Sequence, residues 1–156
     1  MPVASNTLLA THFSSAELGA DLPGATAAIV ANLRKVAAWL ESARGILMVP
    51  LLVTSGFRTV EHNAEVGGSD TSDHVNGLAA DFKASGLTPF QIYQRLSAAR
   101  DTGALPPFDQ IIYYAADDHI HVGLGSKTRG QVLIRTTEGS YVQLATNALN
   151  LLRGWV

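Results

Sequence analysis

At 156 residues, with 47% hydrophobic and 15% charged side chains, the chain has the size and make-up of one compact domain and not of a disordered segment. A net charge of −2 gives no electrostatic footing for nucleic acid, so none is expected as a partner. The absence of cysteine excludes a disulfide framework, a thiol nucleophile and a Cys-ligated zinc site, and leaves His, Asp and Glu as the side chains able to hold a metal.

Residues Met1 to His12 have neither a basic start nor a clear apolar core, so no signal peptide is expected there, and the cytoplasm of the producing cell is the expected location. Ser14 followed by Glu17 predicts a capping box on a short helix, broken at Pro23-Gly24. From Ala25 to Arg44 the residues Ile29, Leu33, Val36, Ala37 and Leu40 recur at helical spacing, with Arg34, Lys35 and Glu41 mainly opposite; Gly45 suits the end of this helix. Leu51 to Ser55 reads as a buried strand, Thr59 to Val66 as a turn or two of helix, and Gly67 to Asp73 as a polar loop. Leu78 to Lys83 reads as a strand, and Thr88 as the cap of a helix with Pro89 in its first turn, running to Arg100.

After the Pro106-Pro107 loop, Asp109 to Tyr114 and His119 to Leu124 are strand-like runs joined by the turn Ala115 to Asp118. Gln131 to Arg135 and Tyr141 to Leu144 follow, with a hairpin turn at Glu138-Gly139, and Asn147 to Val156 reads as a last helical segment. No stretch approaches the ~20 apolar residues of a membrane span. The expected class is α+β, a single domain over residues 1–156 with helices packed on a small, mostly antiparallel sheet.

Chemistry concentrates in two places. In Ser72-Asp-His74-Val-Asn-Gly77-Leu-Ala-Ala-Asp81, a fully extended chain would hold His74 and Asp81 about 23 Å apart. The turn dipeptide Asn76-Gly77 can reverse the chain and bring them together. Strand alternation then sends Leu78, Ala80 and Phe82 to one face and Ala79 and Asp81 to the other, where an ionised Asp beside a small Ala suggests a cleft floor. In Asp118-His-Ile-His121-Val, the same alternation aims His119 and His121 together and sends Ile120 and Val122 to the core. His74, Asp81 and His121 would supply two imidazoles and a carboxylate with a fourth position left for water, the make-up of an open catalytic zinc site. Such a site needs a base. Asp118 is the candidate, although strict alternation points it away from His121 unless it lies in the preceding turn; its neighbour Asp117 is the natural competitor.

The order Ser55-Gly-Phe-Arg58, Asn63, Val66-Gly-Gly-Ser69, Ser72-Asp-His74, Gly77, Ala80-Asp81, Phe108-Asp-Gln-Ile111 and His119-Ile-His121-Val122 resembles the zinc D-Ala-D-Ala carboxypeptidase family, and more narrowly its phage-borne, endolysin-like branch. The resemblance runs from about Phe13 to Leu124, leaving 125–156 as an extension without a counterpart. It implies a fold like that of hedgehog and D-Ala-D-Ala peptidase domains. It also implies Zn2+ held by His74, Asp81 and His121, with Asp118 as general base. Arg58 would face the substrate carbonyl or carboxylate, and Ser72 and His119 would support the ligands or touch substrate. Asp at 118 is similar to the carboxypeptidase and endopeptidase branches, whereas the dipeptidase branch carries Glu there.

The expected activity is hydrolysis of a peptide bond in bacterial peptidoglycan, D-Ala-D-Ala or L-Ala-D-Glu, by a monomer that acts on the wall during phage lysis or from a virion. The rival reading is a non-catalytic, zinc-stabilised wall-binding module; a β-barrel metal enzyme is disfavoured by the long helix. Plainer roles stand beside several residues. His12 and His62 read as surface histidines, Arg58 could pair with Glu61 or Glu65 across a helical turn, and Gly67-Gly68 could be only a turn. Phe57, Phe108, Tyr113 and Tyr114 read as core or cleft wall.

Overall fold

The computed structural model describes residues 3–125 and 127–143. A short hairpin comes first, β1 (Leu8–Ala10) and β2 (Phe13–Ser14), and leads directly into α1 (Ser15–Leu18). Ser14 caps α1, and the reciprocal bond from its own N–H to Glu17 completes the expected capping box. The hairpin itself escapes the periodicity argument, because strands of two or three residues carry no measurable alternation.

The long helix α2 spans Ala27–Leu47 and is capped by Thr26. Its buried stripe of Leu33, Val36, Ala37, Leu40, Ala43 and Leu47 lies at helical spacing, and each fully buried leucine contributes about 1.5–3 kcal/mol. The expectation that Gly45 ends this helix is corrected. Leu47 continues the buried stripe one turn further, and the chain leaves through Met48 in the left-handed conformation, φ 59°. Gly45 is an exposed interior position.

β3 (Leu51–Ser55), α3 (Val60–Glu65), a 3-10 turn (Asp73–Asn76) and β4 (Ala79–Ala84) follow, then α4 (Pro89–Asp101) with Thr88 as its cap. The remaining strands are β5 (Gln110–Tyr114), β6 (His119–Gly123), β7 (Gln131–Arg135) and β8 (Tyr141–Val142). The six-stranded sheet has the order β3-β4-β6-β5-β7-β8, antiparallel throughout except for the parallel pair β5 and β7. Among the described residues it is an open sheet ending at β3 and β8, and the architecture is α+β, not a barrel. No described helix is long and apolar enough to cross a membrane. The expected helix at Asn147 to Val156, and Leu144 at the end of the last strand, lie outside the described residues.

Alternation divides the sheet into two faces. Ala80, Phe82, Ile111, Ile120 and Val122 join the hydrophobic core against α2 and α4, and Tyr113 meets Phe90 and Tyr93 of α4 there. The opposite face carries Asp81, Ile112, Tyr114, His119 and His121, all of which line one cleft of about 880 Å³. Ala79 shares that direction but is fully buried, so Asp81 without Ala79 forms the cleft floor.

Candidate metal centre

The centre is assembled from one turn and two adjacent strands. Asp81 and His121 are direct cross-strand partners of β4 and β6, so their side chains leave the sheet side by side. His74 arrives from the 3-10 turn, which Ser72 caps by accepting the His74 N–H at 3.3 Å and which Gly77 closes in the left-handed conformation. The reversal at Asn76-Gly77 thus brings His74 Nε2 to 3.3 Å from Asp81 Oδ1.

His121 Nδ1 lies 2.9 Å from Asp81 Oδ1 and 3.2 Å from His74 Nε2. Zinc with bonds of about 2.0–2.1 Å in tetrahedral geometry holds its ligand atoms about 3.3 Å apart, so one ion fits this set of atoms. The chemistry of the donors agrees. His74 Nδ1 sits 2.7 Å from the Gly56 carbonyl, to which it donates as N–H, so that a neutral ring would present Nε2 as a lone pair toward Asp81 and His121.

The Gly56 carbonyl is itself fixed. Phe57 N–H donates to the Leu18 carbonyl of α1 at 2.9 Å, and Arg58 N–H donates to the His74 carbonyl at 3.1 Å. A β-carbon on Gly56 would fall 2.3 Å from the Leu18 oxygen, so only glycine permits this approach. A second close approach seats Asn63, which is buried: its Oδ1 would lie 2.1 Å from a β-carbon on Gly68. Gly68 therefore has a packing role beyond that of a turn residue.

The outer oxygen of Asp81 faces cations. Arg58 Nη2 donates to Asp81 Oδ2 at 3.1 Å, while Arg58 Nε donates to Ser55 Oγ at 3.1 Å and Nη1 to Asn63 Oδ1 at 3.4 Å. Arg58 therefore pairs with the Asp81 carboxylate and not with Glu61 or Glu65. His119 Nε2 stands 3.8 Å from the same Oδ2, and its ring stacks on Tyr114 with centroids 4.7 Å apart. Burial on its own would raise the Asp81 pKa, but hydrogen bonds from His121 and His74, and their charge, outweigh it and hold the carboxyl well below the usual range. Asp81 is thus favoured as an anion, the state in which a carboxylate binds a divalent cation.

The turn before β6 separates the two aspartates that sequence alone left competing. Asp118 does lie in the turn, with φ 55°, and is exposed. Its charge acts on Tyr113, whose pKa is raised first by burial and then by that charge, and Tyr113 is on the helix-facing side of the sheet. Asp117 is the one of the two that lines the cleft. His12 and His62 lie outside the centre, paired with Glu41 at 2.8 Å and Glu65 at 3.5 Å.

Two features of the cleft carried no assigned role in the sequence. Asp73, next to His74, has a carboxyl raised by burial and by Asp109, a rise that His121, His74 and Arg129 oppose. Asp109 holds Arg129 through a bidentate pair at 2.7 and 2.9 Å. Asp73 was visible within the Ser-Asp-His run, whereas Arg129 has no motif around it.

Among the described residues, His74, Asp81 and His121 form a group able to hold a metal ion. No curated protein matches the chain. The family model for Peptidase M15 matches residues 11–123, well over half of the chain and including all three of these residues, and the chain belongs to the peptidase M15 family.

Proposed function

We propose that this peptidase is a zinc-dependent peptidoglycan hydrolase that cuts a peptide bond in wall stem peptides, as a D-Ala-D-Ala carboxypeptidase or an L-Ala-D-Glu-type endopeptidase. The observation that carries the reading is the convergence of His74 Nε2, Asp81 Oδ1 and His121 Nδ1 within 4.8 Å at the floor of an open cleft. The resemblance to the endolysin-like branch supports a role in lysis of a bacterial wall by a phage.

Bound zinc supplies Lewis-acid polarisation of the scissile carbonyl and a water acidic enough to ionise near pH 7. Asp118, three residues before His121 in the Asp-x-x-His spacing, takes the proton of the attacking water and passes it to the leaving amine. Asp117 is the alternative base, favoured by its place in the cleft wall. Arg58 has five N–H donors, of which Ser55, Asn63 and Asp81 engage three. Its remaining donors, with His119, stabilise the oxyanion, a contact typically worth about 2.7–4 kcal/mol. Ser72 lines the cleft beside His74, holding the ligand turn in place and contacting the substrate backbone.

Mass spectrometry of fragments released from purified peptidoglycan, with and without a chelator, tests this reading. Chelator-sensitive release of fragments sharing one new terminus is expected. Intact wall, from protein that holds zinc, would refute it.

A further inference from the structure

Register places four side chains in one row across the cleft face. Tyr114 of β5 pairs with His119 of β6 on one side and with Arg135 of β7 on the other, and Arg135 in turn pairs with Tyr141 of β8. The row is linked by contact at both ends. Tyr114 stacks on His119, and the Arg135 guanidinium lies over the Tyr141 ring, 4.6 Å from its centroid. Arg135 and Tyr141 line the same cleft as the three ligand residues.

The cleft arginines differ in one respect. Arg58 is bound to Asp81 and Arg129 to Asp109, whereas among the described residues no carboxylate lies within 4 Å of Arg135. A guanidinium held over an aromatic ring can still turn its N–H donors toward a planar anion. Arg135 and Tyr141, on β7 and β8, lie beyond the residues that match the family model, whereas Tyr114 and His119 lie within them.

We propose that Arg135, seated on Tyr141, is a specificity subsite that binds a carboxylate of the peptide substrate away from the bond that is cut. This rests on the reading of the cleft as a wall peptidase. Arg135 stands two strands from His119, roughly 10 Å at about 4.8 Å per strand. An extended peptide covers that distance in about three residues, so the carboxylate is an acidic side chain or the chain terminus a few residues from the scissile bond. A free C-terminus there would make the enzyme trim close to chain ends, and a side chain would let it cut internally.

The test uses the full zinc-loaded protein and synthetic stem peptides carrying both a D-Glu carboxylate and a C-terminal carboxylate, with forms in which one or the other is an amide. Affinity is read as KM for peptides that are cut and as a calorimetric Kd for those that are not, so a failure of catalysis leaves this subsite measurable. In the wild type, one of the two amidations is expected to weaken affinity about tenfold or more, as for a lost charge-assisted hydrogen bond, with kcat nearly unchanged where cutting occurs. In Arg135→Gln that acid-over-amide preference should vanish, with zinc content and Tm retained, and Arg135→Lys should restore part of it. The amidation that loses its effect identifies the carboxylate. An acid-over-amide preference that persists in Arg135→Gln, or its absence from the wild type, would overturn the proposal. Should Arg135→Gln fail to fold, Arg135→Lys decides: an unchanged preference there, where the bidentate fork is gone, would equally overturn it.

Discussion

Arg58 Nη2 lies 3.1 Å from Asp81 Oδ2, on the side of the carboxylate away from His74 and His121. The two oxygens of Asp81 are thereby divided, one toward His74 and His121 and the other toward a guanidinium held by Ser55 and Asn63. This grip on Asp81 would give Arg58 a positioning role beside the substrate-facing one proposed for it. Arg58→Ala is expected to lower zinc affinity by about 10–100-fold, the usual loss when a partner of a ligand is removed. Competition with a chromogenic chelator measures this. Arg58→Lys should recover little, because one ammonium cannot span the three acceptors.

The two aspartates before β6 give opposite expectations. If Asp118 is the base, Asp118→Asn lowers kcat by about 10²–10⁴-fold with zinc content unchanged, and Asp117→Asn has a small effect. The reverse pattern would assign the base to the residue that lines the cleft. Metal analysis beside steady-state kinetics on both variants separates the two outcomes.

Asp73 gives a pH prediction whose sign is opposite to that of a paired aspartate. Its folded pKa is raised above the unfolded value of about 3.9, so the folded protein binds protons more readily and this group costs stability as pH rises through the folded pKa. Asp73→Asn in chelator-treated protein should therefore melt higher at pH 7, with the difference disappearing once the pH falls below the unfolded value. The same change should weaken zinc binding, about tenfold, since the lost charge stands close to His74 and His121. Thermal melts at several pH values and a zinc titration check both halves.

Gly56→Ala probes the backbone beneath the centre. A methyl group 2.3 Å from the Leu18 carbonyl oxygen forces β3 and α1 apart. The cost is expected to be at least about 1–3 kcal/mol, or about 2–4 °C in Tm for each kcal/mol. Because the Gly56 carbonyl fixes the His74 tautomer, zinc affinity should fall with it; calorimetry of the variant reads both.

What the sequence made legible was the part governed by period. Alternation alone placed Ile120 and Val122 in the core and His119 and His121 in the cleft, and the turn at Asn76-Gly77 brought His74 to Asp81. What it hid was governed by contacts between distant segments. The partner of Arg58 sits 23 residues away, reached through the pairing of Ser55 with Asp81, while Glu61 and Glu65 offered nearer alternatives. The helix overran Gly45 because one more turn buries Leu47, a tertiary gain that exceeds the local preference for glycine at a helix end. Arg135 looked like an ordinary charged residue ending a strand until the parallel pairing of β5 and β7 set it beside Tyr114.

The most direct test of the metal centre is an anomalous difference map collected at the zinc absorption edge from crystals of the protein. The expected result is one strong peak about 2.0–2.2 Å from His74 Nε2, Asp81 Oδ1 and His121 Nδ1. A peak held by other atoms, or a zinc-soaked crystal with no peak between these three, would contradict it.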